Sequence, residues 1–234
     1  TLRQARGTPY PRPVDAAVIA EQAGADSITV HLREDRRHIQ DHDLEAINSV
    51  MRTHMNLECA VTDAMLAIAV KTAPQDCCLV PEKREERTTE GGLDVVSHRD
   101  RIREVVQRLH DVGSVVNAFI EPIAEQIKAS TDVGFDGVEL WTGGYAHADN
   151  AEEIESSLAT LSSGIEVSRS AGLEVHGGHG LTYRNVWAVA ALPGFAEFNI
   201  GHSIVARSIY VGMREAVREM KALLERHAPA ETSR

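Results

Sequence analysis

The residues best suited to chemistry cluster in Ser27-Ile28-Thr29-Val30-His31-Leu32-Arg33-Glu34-Asp35-Arg36-Arg37-His38. A β-branched run leaves a glycine-containing turn, Ala23-Gly24-Ala25-Asp26, and delivers a histidine, several arginines and a second histidine. Val, Ile and Thr at this density read as a buried strand. Polar residues released at the exit of such a strand add nothing to a core, and the exit is where α/β proteins place their chemistry. A guanidinium there matches two oxygens of a phosphate or carboxylate at once.

Other strand exits carry similar groups. Glu58 lies inside Met55-Asn56-Leu57-Glu58-Cys59-Ala60. A carboxylate in so apolar a run is costly unless it is paired or functional. Burial brings it towards proton transfer at neutral pH; an ion pair to Arg33 or to a neighbouring strand residue is the plain structural alternative. Val175-His176-Gly177-Gly178-His179-Gly180-Leu181-Thr182-Tyr183 surrounds a histidine with glycines. Such glycines let backbone N–H groups approach a ligand, or simply make tight turns. Asn199-Ile200-Gly201-His202-Ser203 runs into the last helix, whose N-terminus favours an anion. Glu82-Lys83-Arg84, Glu121, Glu139 and Thr142 end the remaining strands. Each alone reads as a polar end-cap; together they point to one mouth. The stretch Pro81–Asp94 is long and charged, either a mobile lid or a solvated loop. The chain has 11 histidines but no HxH or HExxH, and the His176-x-x-His179 offset turns the two rings to opposite sides of a strand. No metal site is expected.

Strands are expected at 26–32, 55–60, 77–81, 115–121, 136–142, 173–178 and 197–202. Helices are expected at 13–23, 41–53, 62–73, 95–112, 122–133, 151–171, 184–192 and 203–227, with Thr1–Pro13 a loop. Gly24, Gly113, Gly134 and Gly172 each follow a helical stretch and precede an apolar run, the usual helix-to-strand joint. Pro122 suits the first turn of its helix and Asp63 suits a cap. Repeated joints of this kind predict an α/β protein, a (β/α)8 TIM barrel forming one domain over 1–234. The strand count is one short, so the first strand is expected ahead of Thr1. The alternative, an open doubly wound sheet, usually carries a Gly-rich phosphate turn, and no GxGxxG occurs.

The 234 residues are 43% hydrophobic and only 4% aromatic, so the core is aliphatic. A formal net charge of -11 argues against nucleic acid and anionic membranes as partners. Cys59, Cys77 and Cys78 form neither a disulfide framework nor a zinc spacing, and they fit a reducing cytoplasm. No signal peptide is evident, and no apolar run approaches the roughly 18 residues of a membrane span. A cytoplasmic protein is expected.

With those residues laid out, the chain resembles the pyridoxine 5′-phosphate synthase family of deoxyxylulose-dependent vitamin B6 biosynthesis, over essentially its whole length. The resemblance is carried by Arg6-Gly7-Thr8, Glu21–Gly24, Thr29–Ile39, Met55–Glu58, Leu79–Arg84, Thr88–Asp94, Gly178–Tyr183 and Asn199–His202. It implies a TIM barrel assembled into homo-octamers. It implies condensation of 1-deoxy-D-xylulose 5-phosphate with 3-amino-2-oxopropyl phosphate, giving pyridoxine 5′-phosphate, phosphate and water, with no metal or redox cofactor. By the same resemblance His31 and Glu58 are general bases, His179 is a general acid and Glu139 stabilises charge in the transition state. Arg33, His38 and Thr88 would hold the deoxyxylulose phosphate. Arg6, Gly180, Gly201 and His202 would hold the aminoketone phosphate. The family's first strand carries an Asn and an Asp-His pair that touch both substrates; these would precede Thr1. Trp141 and His176 stand where the family usually has His and Asn. Two other functions remain open. One is another phosphate-binding barrel enzyme, such as an isomerase or an aldolase; a Schiff-base aldolase would want a lysine at the mouth, where only Lys83 falls. The other is a barrel that binds a sugar phosphate without catalysis.

Overall fold

The computed structural model describes residues 1–82 and 91–229. Along the chain run α1 (Leu2–Arg6), α2 (Pro13–Gln22), β1 (Ser27–His31), α3 (Asp41–Val50), β2 (His54–Cys59), α4 (Asp63–Thr72), β3 (Asp76–Leu79), α5 (Arg99–His110) and β4 (Val115–Ile120). They continue with α6 (Ala124–Val133), β5 (Gly137–Trp141), α7 (Gly143–Ala146), α8 (Ala151–Ser170), β6 (Glu174–Gly178), α9 (Val186–Ala190), β7 (Glu197–Asn199), α10 (His202–Val211) and α11 (Met213–His227). The expected strands are all present, although the last ends at Asn199 rather than at 202.

The seven strands pair in chain order, β1 to β7, and the pairs are parallel throughout. Parallel neighbours joined through helices, with no switch in order, give a nearly closed (β/α) barrel rather than a doubly wound sheet. β1 and β7 are the two edges of the described sheet. They face one another, and the Thr29 Oγ1 hydroxyl donates to Asn199 Oδ1 at 2.6 Å across the seam.

Successive side chains of a strand alternate between faces. On the outside, Val30, Leu57, Cys59, Cys77, Leu79, Val116, Ala118, Ile120, Val138, Leu140 and Val175 join the helices in one large apolar core. Full burial of one such Leu or Val contributes about 1.5–3 kcal/mol. On the inside, Cys78, Val80 and Phe119 form a small second cluster with Trp141 against it. The rest of the inner face is polar: Thr29, His31, Asn56, Glu58, Asn117, Glu139 and Asn199 alternate with the outer residues.

Several local expectations give way. The start of the chain is not a loop: α1 ends on Gly7 in the left-handed conformation, φ 66°. It is anchored by buried Arg3, whose Nη1 and Nη2 donate to Asp43 at 2.6 and 2.5 Å. Thr62, not Asp63, caps α4, accepting the Met65 N–H on its hydroxyl. Pro122 lies ahead of the first turn of α6, which begins at Ala124. The expected final helix is two helices, because Gly212 breaks it at φ 82°, ψ 154°.

Candidate active site

The C-terminal ends of the strands converge on a cavity of about 1380 Å³. Its lining includes His31, His38, Glu58, Glu139, His179, Gly180, Gly201 and His202, and apolar residues of the seam between β1 and β7 extend it. Four ionisable side chains thus meet there from different elements: His31 ends β1, Glu58 lies in β2, Glu139 in β5, and His179 follows β6.

His31 stands between two carboxylates. Its Nδ1 lies 3.5 Å from Glu58 Oε2 and its Nε2 lies 3.0 Å from Glu82 Oε1. Glu58 is therefore paired with His31, the residue opposite it on the neighbouring strand β1, as the structural alternative allowed. Glu58 sits deep in the protein, with 21% of its side chain open to the cavity. Burial pushes its carboxyl above the ordinary range, against a smaller opposing pull from His31.

Glu139 is more enclosed, 3% exposed. Burial, and then the charge of Glu58, push its carboxyl well above the ordinary range, while the hydrogen bond from Asn199 opposes them. Asn199 Nδ2 donates to Glu139 Oε2 at 2.8 Å. Through Thr29 this chain of bonds continues to Asn56, whose Nδ2 donates to Thr29 Oγ1 at 3.3 Å. Gly178 makes room for Glu139: a Cβ at that position would stand 1.9 Å from Glu139 Oε1. That glycine therefore has a packing reason, where the sequence suggested close approach of backbone to ligand.

His179 takes a left-handed backbone, φ 81°, unusual for a residue with a side chain. Strain of this kind is typically about 1–3 kcal/mol and collects at functional sites. Thr142 holds it in place: its hydroxyl lies 2.8 Å from the Gly178 carbonyl and 2.5 Å from that of His179. The His179 ring is surrounded by Phe119, Trp141 and, edge-on, His147, with ring centres 6.4, 6.1 and 5.9 Å away.

The residues expected to bind phosphate divide. Gly180, Gly201 and His202 border the cavity together with Ser203 at the N-terminus of α10. Backbone N–H groups and the helix dipole there suit an anion. His38 also borders it, its Nδ1 3.2 Å from Thr1 Oγ1. Burial, followed by nearby positive charges, holds its imidazole below the ordinary value. Arg33 is buried, 4% exposed, with Nε 3.6 Å from Asp35 Oδ1, and it is not in the cavity lining. Arg6 is exposed at the end of α1, outside the lining. Arg36 and Arg37 are turned to Asp41 and Asp35, at 2.8 and 2.6 Å, so neighbouring carboxylates already occupy those forks. Thr88 and Lys83 fall in 83–90, outside the described residues, as does most of the proposed lid. His176 is buried in the middle of β6, its Nε2 2.8 Å from Glu174 Oε1.

Glu82 and Thr142 were visible in the sequence only as polar strand ends; their contacts to His31 and His179 join segments far apart in the chain. Among the described residues, no three His, Cys, Asp or Glu side chains gather as a metal ion would require. No described helix is long and apolar enough to cross a membrane.

A family model described as Pyridoxal phosphate biosynthesis protein PdxJ matches residues 1–226. Among solved structures the chain is similar to phosphoribosyl anthranilate isomerase from Thermus thermophilus. That likeness has 16% identity and a TM-score of 0.59, covering 91% of this chain and 94% of the other. It is also similar to KGPDC from Streptococcus mutans, at 11% identity and a TM-score of 0.62, covering 92% and 91%. At these identities the likeness speaks for the fold, a TIM barrel, and for nothing further.

Proposed function

The chain belongs to the PdxJ family of pyridoxal phosphate biosynthesis proteins, and from that premise we propose that it is a pyridoxine 5′-phosphate synthase. It condenses 1-deoxy-D-xylulose 5-phosphate with 3-amino-2-oxopropyl phosphate, a transferase-type ring closure that releases phosphate and water. The observation that carries this reading is the convergence of His31, Glu58, Glu139 and His179 on one cavity. Joining an amine to a ketone and closing an aromatic ring demand repeated proton removal and repeated protonation of leaving oxygens. A cavity with two bases and an acid from separate strands is suited to that sequence, and each positioned group accelerates its step by roughly 100- to 10,000-fold.

In this reading His31 and Glu58 remove protons, and His179 delivers one to a departing oxygen. Glu139, whose burial and proximity to Glu58 favour its protonated form, donates a hydrogen bond to oxygen as negative charge develops. Gly180, Gly201, His202 and the α10 N-terminus receive the phosphate of the aminoketone, and the same role is proposed for Arg6 of α1, which lies outside the cavity lining. Arg33, His38 and Thr88 receive that of the deoxyxylulose. The decisive assay mixes both substrates with the protein and follows pyridoxine phosphate absorbance and released phosphate together. Both should rise in step; turnover of neither, with turnover of a different sugar phosphate, would overturn the assignment.

A homo-octameric, cytoplasmic enzyme completes the proposal. No residue of α10 is buried, and Val205, Ile209 and Tyr210 are 47%, 66% and 83% exposed, an apolar face suited to contact between copies. Light scattering on the purified protein tests the octamer. The three free, buried cysteines agree with a reducing compartment.

A further inference from the structure

Beyond Leu79 the chain continues through Val80 and Pro81 to Glu82, a carboxylate with no part in the reaction as set out above. Its side chain is only 6% exposed, and both its oxygens are engaged. Oε1 lies 3.0 Å from His31 Nε2, and Oε2 accepts the backbone N–H of Glu34 at 3.0 Å. The second ring nitrogen of His31, Nδ1, faces Glu58 Oε2 at 3.5 Å. We propose that Glu82 is a positioning residue: it holds His31 as the tautomer protonated on Nε2, so that a bare Nδ1 faces Glu58 and the two bases work as one proton-transferring pair. The reaction served rests on the synthase reading; the tautomer does not.

A carboxylate has lone pairs and no proton, so a 3.0 Å contact from it to a ring nitrogen requires the proton on that nitrogen. A neutral imidazole carries one N–H, which leaves Nδ1 with a lone pair. The Glu34 N–H and the His31 N–H together fix the plane of the Glu82 carboxylate, and through it the tilt of the ring. Burial acts to raise the Glu82 carboxyl. The hydrogen bonds from His31 and Glu34, with the positive charge of Arg33 nearby, act against it, and the group is held below its ordinary value. Glu58, on the other side of the same ring, is raised by burial. One imidazole thus stands between a carboxylate kept ionised and a carboxyl group inclined to keep its proton. Environments that separate two carboxyl groups in this way divide their roles. The proton passes from Glu58 Oε2 to His31 Nδ1, breaking O–H and forming N–H, and returns by the same path; nothing else is consumed. The imidazolium formed in transit already has the Glu82 anion against Nε2, the arrangement by which a buried carboxylate supports a catalytic histidine in hydrolytic triads.

The test uses the intact protein labelled with 15N in its histidines, His31 being assigned from the signal lost in His31→Gln. In the wild type the His31 Nε2 should show the shift of a protonated nitrogen and Nδ1 that of a bare one. In Glu82→Ala the two tautomers should mix, and Glu82→Asp should restore much of the preference. Turnover should fall roughly 100- to 10,000-fold in Glu82→Ala, in kcat rather than KM, with partial recovery in Glu82→Asp. A wild-type His31 protonated on Nδ1, or a tautomer unchanged by Glu82→Ala, overturns the proposal. Should Glu82→Ala fail to fold, the wild-type spectrum still decides. A wild type without synthase turnover would refute the reaction and leave the tautomer to the spectra.

Discussion

The outer and inner faces of the barrel are made from alternate residues of the same strands, yet they follow opposite rules. Outside, Leu57, Cys77, Leu79, Val116, Ala118, Ile120, Val138 and Leu140 are all 0% exposed and aliphatic or thiol. Inside, where such barrels usually stack branched aliphatic side chains, stand Thr29, His31, Asn56, Glu58, Asn117, Glu139 and Asn199. The inner face is not fully satisfied: among the described residues Asn117 Oδ1 and Nδ2 and Asn56 Oδ1 are buried without a hydrogen-bond partner. Each such group typically costs about 1–3 kcal/mol. Cohesion is thus concentrated on the helix-facing side, and the interior is left free to hold ionisable groups in surroundings that shift them. A strand period of two lets one short strand serve both faces.

Adjacent residues test this division most directly. Glu58→Gln removes a proton-transfer group and preserves shape, so turnover should fall roughly 100- to 10,000-fold. The melting temperature should hold or rise, because a buried, raised carboxyl is replaced by a neutral amide. Rates near wild type would remove Glu58 as a base. Leu57→Ala, one residue earlier, should do the reverse. It empties a fully buried outer site and should cost about 2–5 kcal/mol of stability. Activity per folded molecule should stay close to wild type, as thermal melting and kinetics on one sample would reveal. Equal loss of rate in both variants would erase the distinction between the faces.

Much of the outer face was legible in the sequence because it is a local, periodic property. Val30, Leu57 and Cys77 mark their strands by apolar type alone, and Gly134 marks a helix-to-strand joint by its left-handed turn, φ 99°. The inner face was legible as a set of strand exits but not as a set of bonds. That Glu58 pairs with His31, and that Gly178 is small for the sake of Glu139, depends on neighbours on other strands. The same is true of Arg3: its partner Asp43 lies 40 residues away, and without it the start of the chain reads as a loop. Arg36 and Arg37 mislead for the opposite reason. Their partners, Asp41 and Asp35, are close in sequence, and those carboxylates neutralise forks that look ready for phosphate.

Glu139→Gln should produce a smaller effect, but one whose sign separates the faces more sharply. The folded protein holds the Glu139 proton more tightly than the unfolded chain does, because burial and the charge of Glu58 raise the carboxyl well above its reference value of 4.5. Below the unfolded value both states are protonated and nothing is lost. As pH rises from there through the raised value, the unfolded state releases its proton first, so stability declines across that window. Glutamine imitates the protonated acid and can still accept from Asn199 Nδ2 through its carbonyl oxygen. The variant should therefore melt higher than wild type at pH 8, by about 2–4 °C for each kcal/mol recovered. The gap should narrow as the pH is lowered towards 4.5, the reference value of the unfolded group. Activity should fall less than in Glu58→Gln, since an amide N–H can replace the acid as hydrogen-bond donor. A gap that stays constant with pH, or a variant less stable throughout, would mean that Glu139 contributes cohesion after all and that the inner face is no different from the outer.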